Sequence, residues 1–219
     1  MFVITADQVD SRHDIDRGGE LMARLNEDFA DTLLLPADQN SGDELQALVG
    51  SPAAVLAMIL YIARTGQWSV GLGIGAVRLP LADATRTSSG PAFVAARRAV
   101  SRAKHAPARF ALETEGLPGA FGSDPDRSIL MTAADVEPML SMLLLIRERR
   151  TESGWEAVDR TERGLNQAQI AAELGITPAA VSQRLSAALW KLEDAARPGL
   201  AKLLGQLDHS STREAESAA

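Results

Sequence analysis

Residues 165–190 constrain the fold of this chain more than any other stretch, because they predict two short helices that meet at a sharp corner. Apolar residues four apart mark the inward side of each helix: Ile170 with Leu174, and Val181 with Leu185. Gly175 can adopt the left-handed backbone that ends a helix. Thr177 followed by Pro178 is typical of a helix N-terminus. The stretch therefore predicts a helix-turn-helix.

The second of these helices has an outward face of small and polar residues. Side chains of this kind suit contacts with base edges in a major groove, and an arginine on the same helix is long enough to reach a phosphate or a guanine. The predicted DNA-contacting residues are Gln167, Thr177, Ala179, Ser182, Gln183, Arg184 and Ser186. An ordinary helical hairpin in a bundle has the same corner and spacing, so this alternative stays open.

The letters IAAELGIT and VSQRL in this stretch resemble the helix-turn-helix of many bacterial regulators and of sigma-factor region 4. The resemblance covers about 25 residues and implies that the partner is double-stranded DNA. It does not indicate which operator is bound.

The charge distribution bears on this prediction. The net charge is −7, with 15 Lys and Arg against 20 Asp and Glu in residues 1–154, and 6 against 6 in residues 155–202. A neutral DNA-binding unit gains little from neutralising phosphates, so it needs its cations on one side or a second copy. Because helix-turn-helix proteins usually bind paired half-sites, we expect a homodimer.

Composition and the N-terminus indicate a cytoplasmic protein. The chain has no cysteine, which excludes disulfides and thiolate metal sites. The first 12 residues, MFVITADQVDSR, lack the charge pattern of a signal or transit peptide. The apolar run 139–146 is too short to span a bilayer, so we expect no membrane partner.

The order of strand and helix patterns predicts an α+β fold. Strand, helix, hairpin, helix, strand, helix and strand follow one another up to residue 114, which indicates an antiparallel-rich sheet with helices on one face, and an all-α helix-turn-helix domain follows. The glycines at alternate positions 71, 73 and 75 suit close approach of backbone or ligand. The predicted divisions are a sensor domain 1–130, a connecting helix 131–154, the helix-turn-helix domain 155–207 and a disordered tail 208–219.

Two acidic residues in the first domain are candidates for a metal site. Asp7 ends the first predicted strand, and Asp43 lies in the turn of the predicted hairpin. If the sheet brings them to one edge, their repulsion is relieved by a cation, and hard oxygen ligands of this kind suit Mg²⁺ shared with phosphates. Alternatively, both residues are ordinary turn residues, since aspartate is common in turns.

The segments TADQVDS, SGDELQALV and GPAFVAARRAV resemble the SatD-like proteins, a bacterial group with a nucleotide-cyclase-like domain and a C-terminal helix-turn-helix. The resemblance implies a cyclase-like or ferredoxin-like sheet in which Asp7 and Asp43 hold Mg²⁺ on a purine nucleotide. It also implies that the loop Gln8, Val9, Asp10 and Ser11 receives the phosphates.

The helix that begins after Gly90 departs from the cyclase pattern. Cyclases offer an asparagine to the substrate here, but residues 93–97 read FVAAR, which argues against catalysis. Four cations on this helix could still bind phosphates, since guanidinium groups pair bidentately with them: Arg97, Arg98, Arg102 and Lys104. A solvated face or a DNA-touching surface is the alternative.

Together these patterns predict a sequence-specific transcriptional regulator in which a nucleotide bound to a degenerate cyclase-like domain controls DNA binding. Such control requires a ligand that prefers one of two arrangements of the protein. The alternative function is an active Mg²⁺-dependent nucleotidyl cyclase or triphosphate hydrolase with an appended helix-turn-helix.

Overall fold

The structure is a computed structural model that describes residues 1–11, 17–39, 44–115 and 131–217, with the side chains described up to residue 209. Asp43, which the sequence places in the turn of the hairpin, lies outside the described residues. Within the described part the fold is α+β, with a five-stranded mixed sheet in the N-terminal half and most of the eight α-helices in the C-terminal half.

The elements follow the chain in this order: β1 (Phe2–Gln8), α1 (Gly18–Asp28), β2 (Leu33–Gln39), β3 (Glu44–Val49), α2 (Pro52–Ala63), β4 (Trp68–Ile74), α3 (Pro91–Ala103), β5 (Phe110–Thr114), α4 (Ala133–Glu148), α5 (Glu152–Glu162), α6 (Gln167–Leu174), α7 (Pro178–Ala187) and α8 (Trp190–Ser217). A short 3₁₀ turn, Thr85–Thr87, lies between β4 and α3.

The strand order in the sheet is β2-β3-β1-β4-β5. The pairs β2 with β3, β3 with β1 and β1 with β4 are antiparallel, whereas β4 and β5 are parallel. The predicted antiparallel-rich sheet is therefore present. Its one parallel pair arises because α3 returns the chain to the same end of the sheet before β5 begins.

Helices cover both faces of the sheet, so the prediction of helices on one face is wrong. Side chains alternate along β1, and Ile4 and Ala6 join a large core with residues of α1 and α2 such as Val55. Val3 points the other way and packs with Phe93 of α3. Because residues 2–5 of β1 are all buried, both of its faces must be covered.

The glycines of β4 explain how α3 approaches the sheet. A Cβ on Gly71 would overlap the backbone of Val100, and a Cβ on Gly73 would overlap the backbone of Ala92. The predicted close approach at these alternate positions is therefore to the backbone of α3.

Helices α4 and α8 return to the sheet and share its main core. The large cluster beneath β1 includes Leu140 and Leu144 from α4, and Leu200, Leu204 and Leu207 from α8. The predicted division at residues 131–154 and 155–207 therefore does not follow the packing. We call the sheet with α1–α4 and the second half of α8 the sheet unit, and α5–α7 the helix-turn-helix unit.

Residues 208–217 are helical, although the sequence predicts a disordered tail. Leu207 is fully buried, and the Asp208 carboxylate accepts a hydrogen bond from the N-terminal ammonium of Met1. These contacts anchor α8 where the tail was expected to begin. Across the described ranges, none of the helices combines the length and the apolar character that a membrane crossing requires.

Candidate nucleic-acid interface

The corner between α6 and α7 has the backbone that the sequence predicts. Gly175 adopts a left-handed conformation with φ of +65°, and the Ile176 amide donates to the carbonyl of Ala171 over 3.0 Å. The Thr177 hydroxyl accepts a hydrogen bond from the Ala180 amide at 3.2 Å, which caps α7. Local hydrogen bonds therefore fix the path of the chain through the corner.

Helix α6 also has a reciprocal cap that the sequence reading missed. The Asn166 side chain accepts hydrogen bonds from the amides of Ala168 and Gln169, and the Gln169 side chain accepts one from the Asn166 amide. Asn followed three residues later by Gln is the signal that could have identified it.

A small core holds the helix-turn-helix unit together. Its buried members are Ala157, Val158, Ile170, Ala171, Val181, Leu185, Ala188 and Trp190. The spacing predicted four inward residues. Ile170, Val181 and Leu185 are buried as predicted, and Leu174 is half-buried against the same cluster. Because α5 fills the third side, the unit is a three-helix arrangement.

The outward face of α7 is uncovered. Ala179, Ser182, Gln183 and Ser186 are all exposed, and Gln167 at the start of α6 is exposed as well. Thr177 is also exposed, although its hydroxyl serves as the cap. No element of the described chain seals this face, as it would if the pair were an interior hairpin of a bundle.

Arg184 differs from its predicted environment. Its guanidinium donates to the Glu156 carboxylate on α5 at 2.8 Å, and its side chain is 28% exposed. The cations of α5 are also paired, since Arg160 and Arg163 both contact Glu173 on α6, at 2.9 and 3.2 Å. The cations and the anions of this unit thus pair with each other.

Two arginines of α3, the predicted phosphate-binding helix, likewise form ion pairs with neighbouring carboxylates. Arg98 pairs with Glu115, and Arg102 donates to Glu113 at 2.5 Å and to Glu137 at 2.7 Å. Arg97 is exposed on the helix surface. Lys104 is also paired, with Asp7. Three of the four predicted phosphate-binding cations therefore form ion pairs within the protein.

The predicted metal site is only partly within the described residues. Lys104 donates to the Asp7 carboxylate at 2.8 Å, which supplies the positive charge that the sequence reading assigned to a metal ion. Asp43 lies outside the described residues. Among the residues that the structure describes, no three metal-binding side chains of the His, Cys, Asp or Glu type converge.

The loop after β1, predicted to receive phosphates, is built as a turn. The Gln8 side chain is buried and accepts a hydrogen bond from the Arg17 amide at 2.9 Å. The Val9 amide donates to the carbonyl of Gln67 at 2.8 Å, and Asp10 has a positive φ of 55°. Ser11 follows at the end of the described segment.

A buried ion cluster joins the two units, and sequence reasoning missed it. The Glu193 carboxylate accepts hydrogen bonds from Arg147, from Arg150 at 2.6 Å and from Arg197 at 2.5 Å. Arg150 also donates to the carbonyl of Ala188 at the end of α7, at 2.8 Å. Burial alone would raise the pKa of Glu193, but the three guanidinium groups lower it below its ordinary value.

Only one pair in this cluster had a sequence signal, the four-residue spacing of Glu193 and Arg197. Arg147 lies in the last turn of α4 and Arg150 follows the end of this helix, both more than 40 residues earlier in the chain than Glu193. Both of these guanidinium groups also lie over the ring of Trp155 in α5, at 4.7 and 4.4 Å from its centre. The position of the helix-turn-helix unit is thus set by charges contributed by the sheet unit.

Comparison with known proteins adds nothing to these contacts: no family model, no curated protein and no solved structure matches the chain.

Proposed function

We propose that this chain is a sequence-specific DNA-binding transcriptional regulator that acts as a homodimer. One observation carries the proposal: the helix α7 is capped, buried along one side and uncovered along a small, polar outward face. A helix of this kind fits the major groove of B-DNA.

Gln183 is the residue of this face with the clearest means of reading a base. The NH₂ group of a glutamine amide can donate to N7 of adenine while its carbonyl oxygen accepts from the N6 amino group, which matches the major-groove edge of this base. Ser182 and Ser186 can bond either donors or acceptors, and Ala179 can contact a thymine methyl group. The small side chains also let the helix backbone lie close to the bases.

The ion pairs of the helix-turn-helix unit set the expected strength of binding. Because Arg184 and Arg160 are paired with carboxylates, few cations are available for phosphates. Each phosphate that is neutralised changes the slope of log binding constant against log salt concentration by about −0.9. One unit alone is therefore expected to bind DNA weakly and with a shallow dependence on salt. Two units on paired half-sites would supply the missing affinity.

The proposed dimer surface is a groove between α4 and α8, next to the end of α7. Met142 and Leu192 are each 59% exposed along it, with Met139 and Leu189 beside them. Exposed apolar side chains in one contiguous patch mark an interaction surface. Exposed charges of both signs lie near it, Glu148 with Arg149 on α4 and Lys191 with Asp194 on α8. A rim of mixed sign can pair with itself across a two-fold axis, which favours a second copy as the occupant.

The topology supports a cyclase-like or ferredoxin-like sheet unit. The strand order β2-β3-β1-β4, with α1 and α2 on one face, is the βαββαβ arrangement of ferredoxin-like domains. The sheet unit would then be the part of the protein that senses a ligand, which the sequence predicts to be a purine nucleotide with Mg²⁺. At the Asp7 site such a ligand must first separate Asp7 from Lys104.

The DNA-binding proposal is tested by selecting bound sequences from a random duplex library and measuring affinities for the selected site. Gln183→Ala should lose about 1–3 kcal/mol of binding free energy and relax the preference at one base position. Gln206→Ala, an exposed glutamine on α8, is the matched control and should bind like the wild type. If no sequence is enriched, or if Gln183→Ala retains the full preference, the proposal is wrong.

The dimer proposal is tested by measuring molecular mass in solution. Met142→Asp combined with Leu192→Asp should give a monomer, because two carboxylates would be buried without partners in the interface. Leu79→Asp changes a leucine that is 66% exposed elsewhere and should leave the mass unchanged. A wild-type protein that is monomeric at every concentration and on DNA would contradict the proposal.

A further inference from the structure

A cavity of about 630 Å³ lies where the sheet unit meets the helix-turn-helix unit. Its walls come from the start of α1, the end of α2, the start of β4 and one residue of α5. We call it the junction cavity. Its volume is in the range of sites that hold small organic ligands.

Arginines give the junction cavity a positive lining. Arg17, Arg24 and Arg64 line it, and the one acidic residue among the lining side chains is Glu20. Arg24 and Glu20 pair on the surface of α1 at 2.7 Å, and both are about three-fifths exposed. An exposed pair of this kind contributes little energy, so Arg24 can turn to an anion at small cost.

Aromatic rings form another part of the wall. Tyr61, Trp68 and Trp155 all line the cavity, and each comes from a different element. Arg64 lies over the Trp155 ring, 4.1 Å from its centre, and Trp68 is only 4% exposed, so the ring surface open to a planar ligand is mainly that of Tyr61. Apolar rings together with a few converging charged groups are the usual composition of a small-molecule site.

We propose that the junction cavity binds a small ligand that combines a planar ring with an anionic group, of the class to which mononucleotides and aromatic carboxylates belong. The guanidinium groups of Arg24 and Arg64 would bind the anion in a bidentate manner. The Tyr61 ring would contact the planar part, and the Trp155 ring would become accessible only when the anion draws Arg64 away from it. Asp7 and Lys104, which pair with each other, are not among the residues that line this cavity, although its lining residue Arg17 donates to the neighbouring Gln8 side chain.

The geometry also provides a link to the helix-turn-helix unit. Arg64 makes a bidentate pair with Asp159 of α5, at 2.8 and 2.7 Å, and lies 4.1 Å from the centre of the Trp155 ring. An anion that takes Arg64 competes with Asp159 for the same guanidinium. Ligand binding therefore changes one of the contacts that hold α5 against the sheet unit, and α5 is part of the core that supports α7.

Binding is tested with the full-length protein by following tryptophan fluorescence and thermal unfolding during titration. The probes are purine mononucleotides and salicylate, with adenosine as the uncharged ring and inorganic phosphate as the ringless anion. The mononucleotide or salicylate should raise the unfolding temperature and quench fluorescence, while adenosine and phosphate should bind at least about tenfold more weakly. Which of the two ligands binds identifies the source of the anion, and no response to either at millimolar concentration overturns the proposal.

Arg64→Gln and Trp155→Phe locate the site. Arg64→Gln should weaken binding of the responding ligand by about tenfold or more, because one bidentate contact is lost. Trp155→Phe should reduce the quenching and leave the part that comes from Trp68, which lines the same cavity. Arg86→Gln breaks an equivalent exposed arginine–aspartate pair, with Asp38, away from the cavity and should bind normally. Equal weakening in Arg64→Gln and Arg86→Gln would contradict the assignment.

The consequence for regulation rests on the proposed DNA-binding function, so it is measured separately. DNA affinity is determined with and without the ligand, and coupling requires that each changes the affinity of the other by the same factor. The ligand effect should be absent in Arg64→Gln. If DNA binds without a ligand but no probe binds the protein, only the cavity proposal fails. If a probe binds while no DNA is selected, only the proposed function fails.

Discussion

Among the described residues, the main core of the sheet unit joins 29 buried side chains, whereas the core of the helix-turn-helix unit has eight. Burial of apolar surface stabilises each unit in proportion to the area removed from water. The smaller unit therefore depends more on its helix caps, on its ion pairs and on its attachment to the sheet unit. This comparison indicates that the sheet unit is the rigid part, and that the position of α7 depends on a few polar contacts.

The largest effect is expected from Glu193→Gln, which changes the cluster that joins the two units. Removing this carboxylate leaves Arg147 and Arg150 buried without their partner, and loss of one partner of a buried ion pair costs about 3–5 kcal/mol. The free energy of unfolding measured in urea should fall by this amount. Glu27→Gln, which changes an exposed carboxylate on α1, should shift it by less than about 0.5 kcal/mol.

The pH dependence of stability checks the same cluster. The folded-state pKa of Glu193 lies below its ordinary value of 4.5, so its contribution to stability is complete above that value and is lost as the pH falls through the lower, folded-state pKa. The stability difference between the wild type and Glu193→Gln should be largest near neutral pH and should shrink in acid. A constant difference across the acid range would show that Glu193 acts only by its shape.

Gly73→Ala tests the packing of the sheet unit. The added Cβ would meet the backbone of Ala92 and Ala96, and a helix backbone cannot move aside without separating α3 from the sheet. We expect a loss of about 3 kcal/mol in urea unfolding. Gly19→Ala in α1 is the control, since its Cβ would meet nothing within 4 Å and alanine should stabilise the helix by roughly 0.5–1 kcal/mol. Similar results for both variants would mean that α3 is not held close to β4.

Thr177→Ala should have the smallest effect and tests the unit that presents α7. Losing the hydroxyl that caps this helix costs about 1 kcal/mol of stability and should weaken binding to all DNA sequences together. Ser182→Ala, on the exposed face of the same helix, should change stability by less than about 0.5 kcal/mol. Loss of preference at a single base position in Thr177→Ala would instead assign a base contact to this side chain.

The sequence by itself determined features that depend on neighbouring residues. Helix α6, Gln167–Leu174, lies within the stretch 165–190 where the sequence predicts it. The corner at Gly175 and the cap at Thr177 could be predicted because capping and left-handed glycine act within a few residues. The alternate glycines of β4 predicted a close approach in the same way. The sequence did not identify α3 as the element that packs against these glycines, since α3 lies further along the chain.

Only the tertiary structure decided which charges meet and which faces are covered. Asp7 is paired with Lys104, 97 residues away, and Arg184 with Glu156, so side chains that looked available in the sequence are neutralised in the fold. The packing of α8 against the sheet and the junction cavity are likewise features that only the tertiary structure decides. Such contacts arise from the packing of distant segments, and local spacing carries no information about partners that the chain brings together only when it folds.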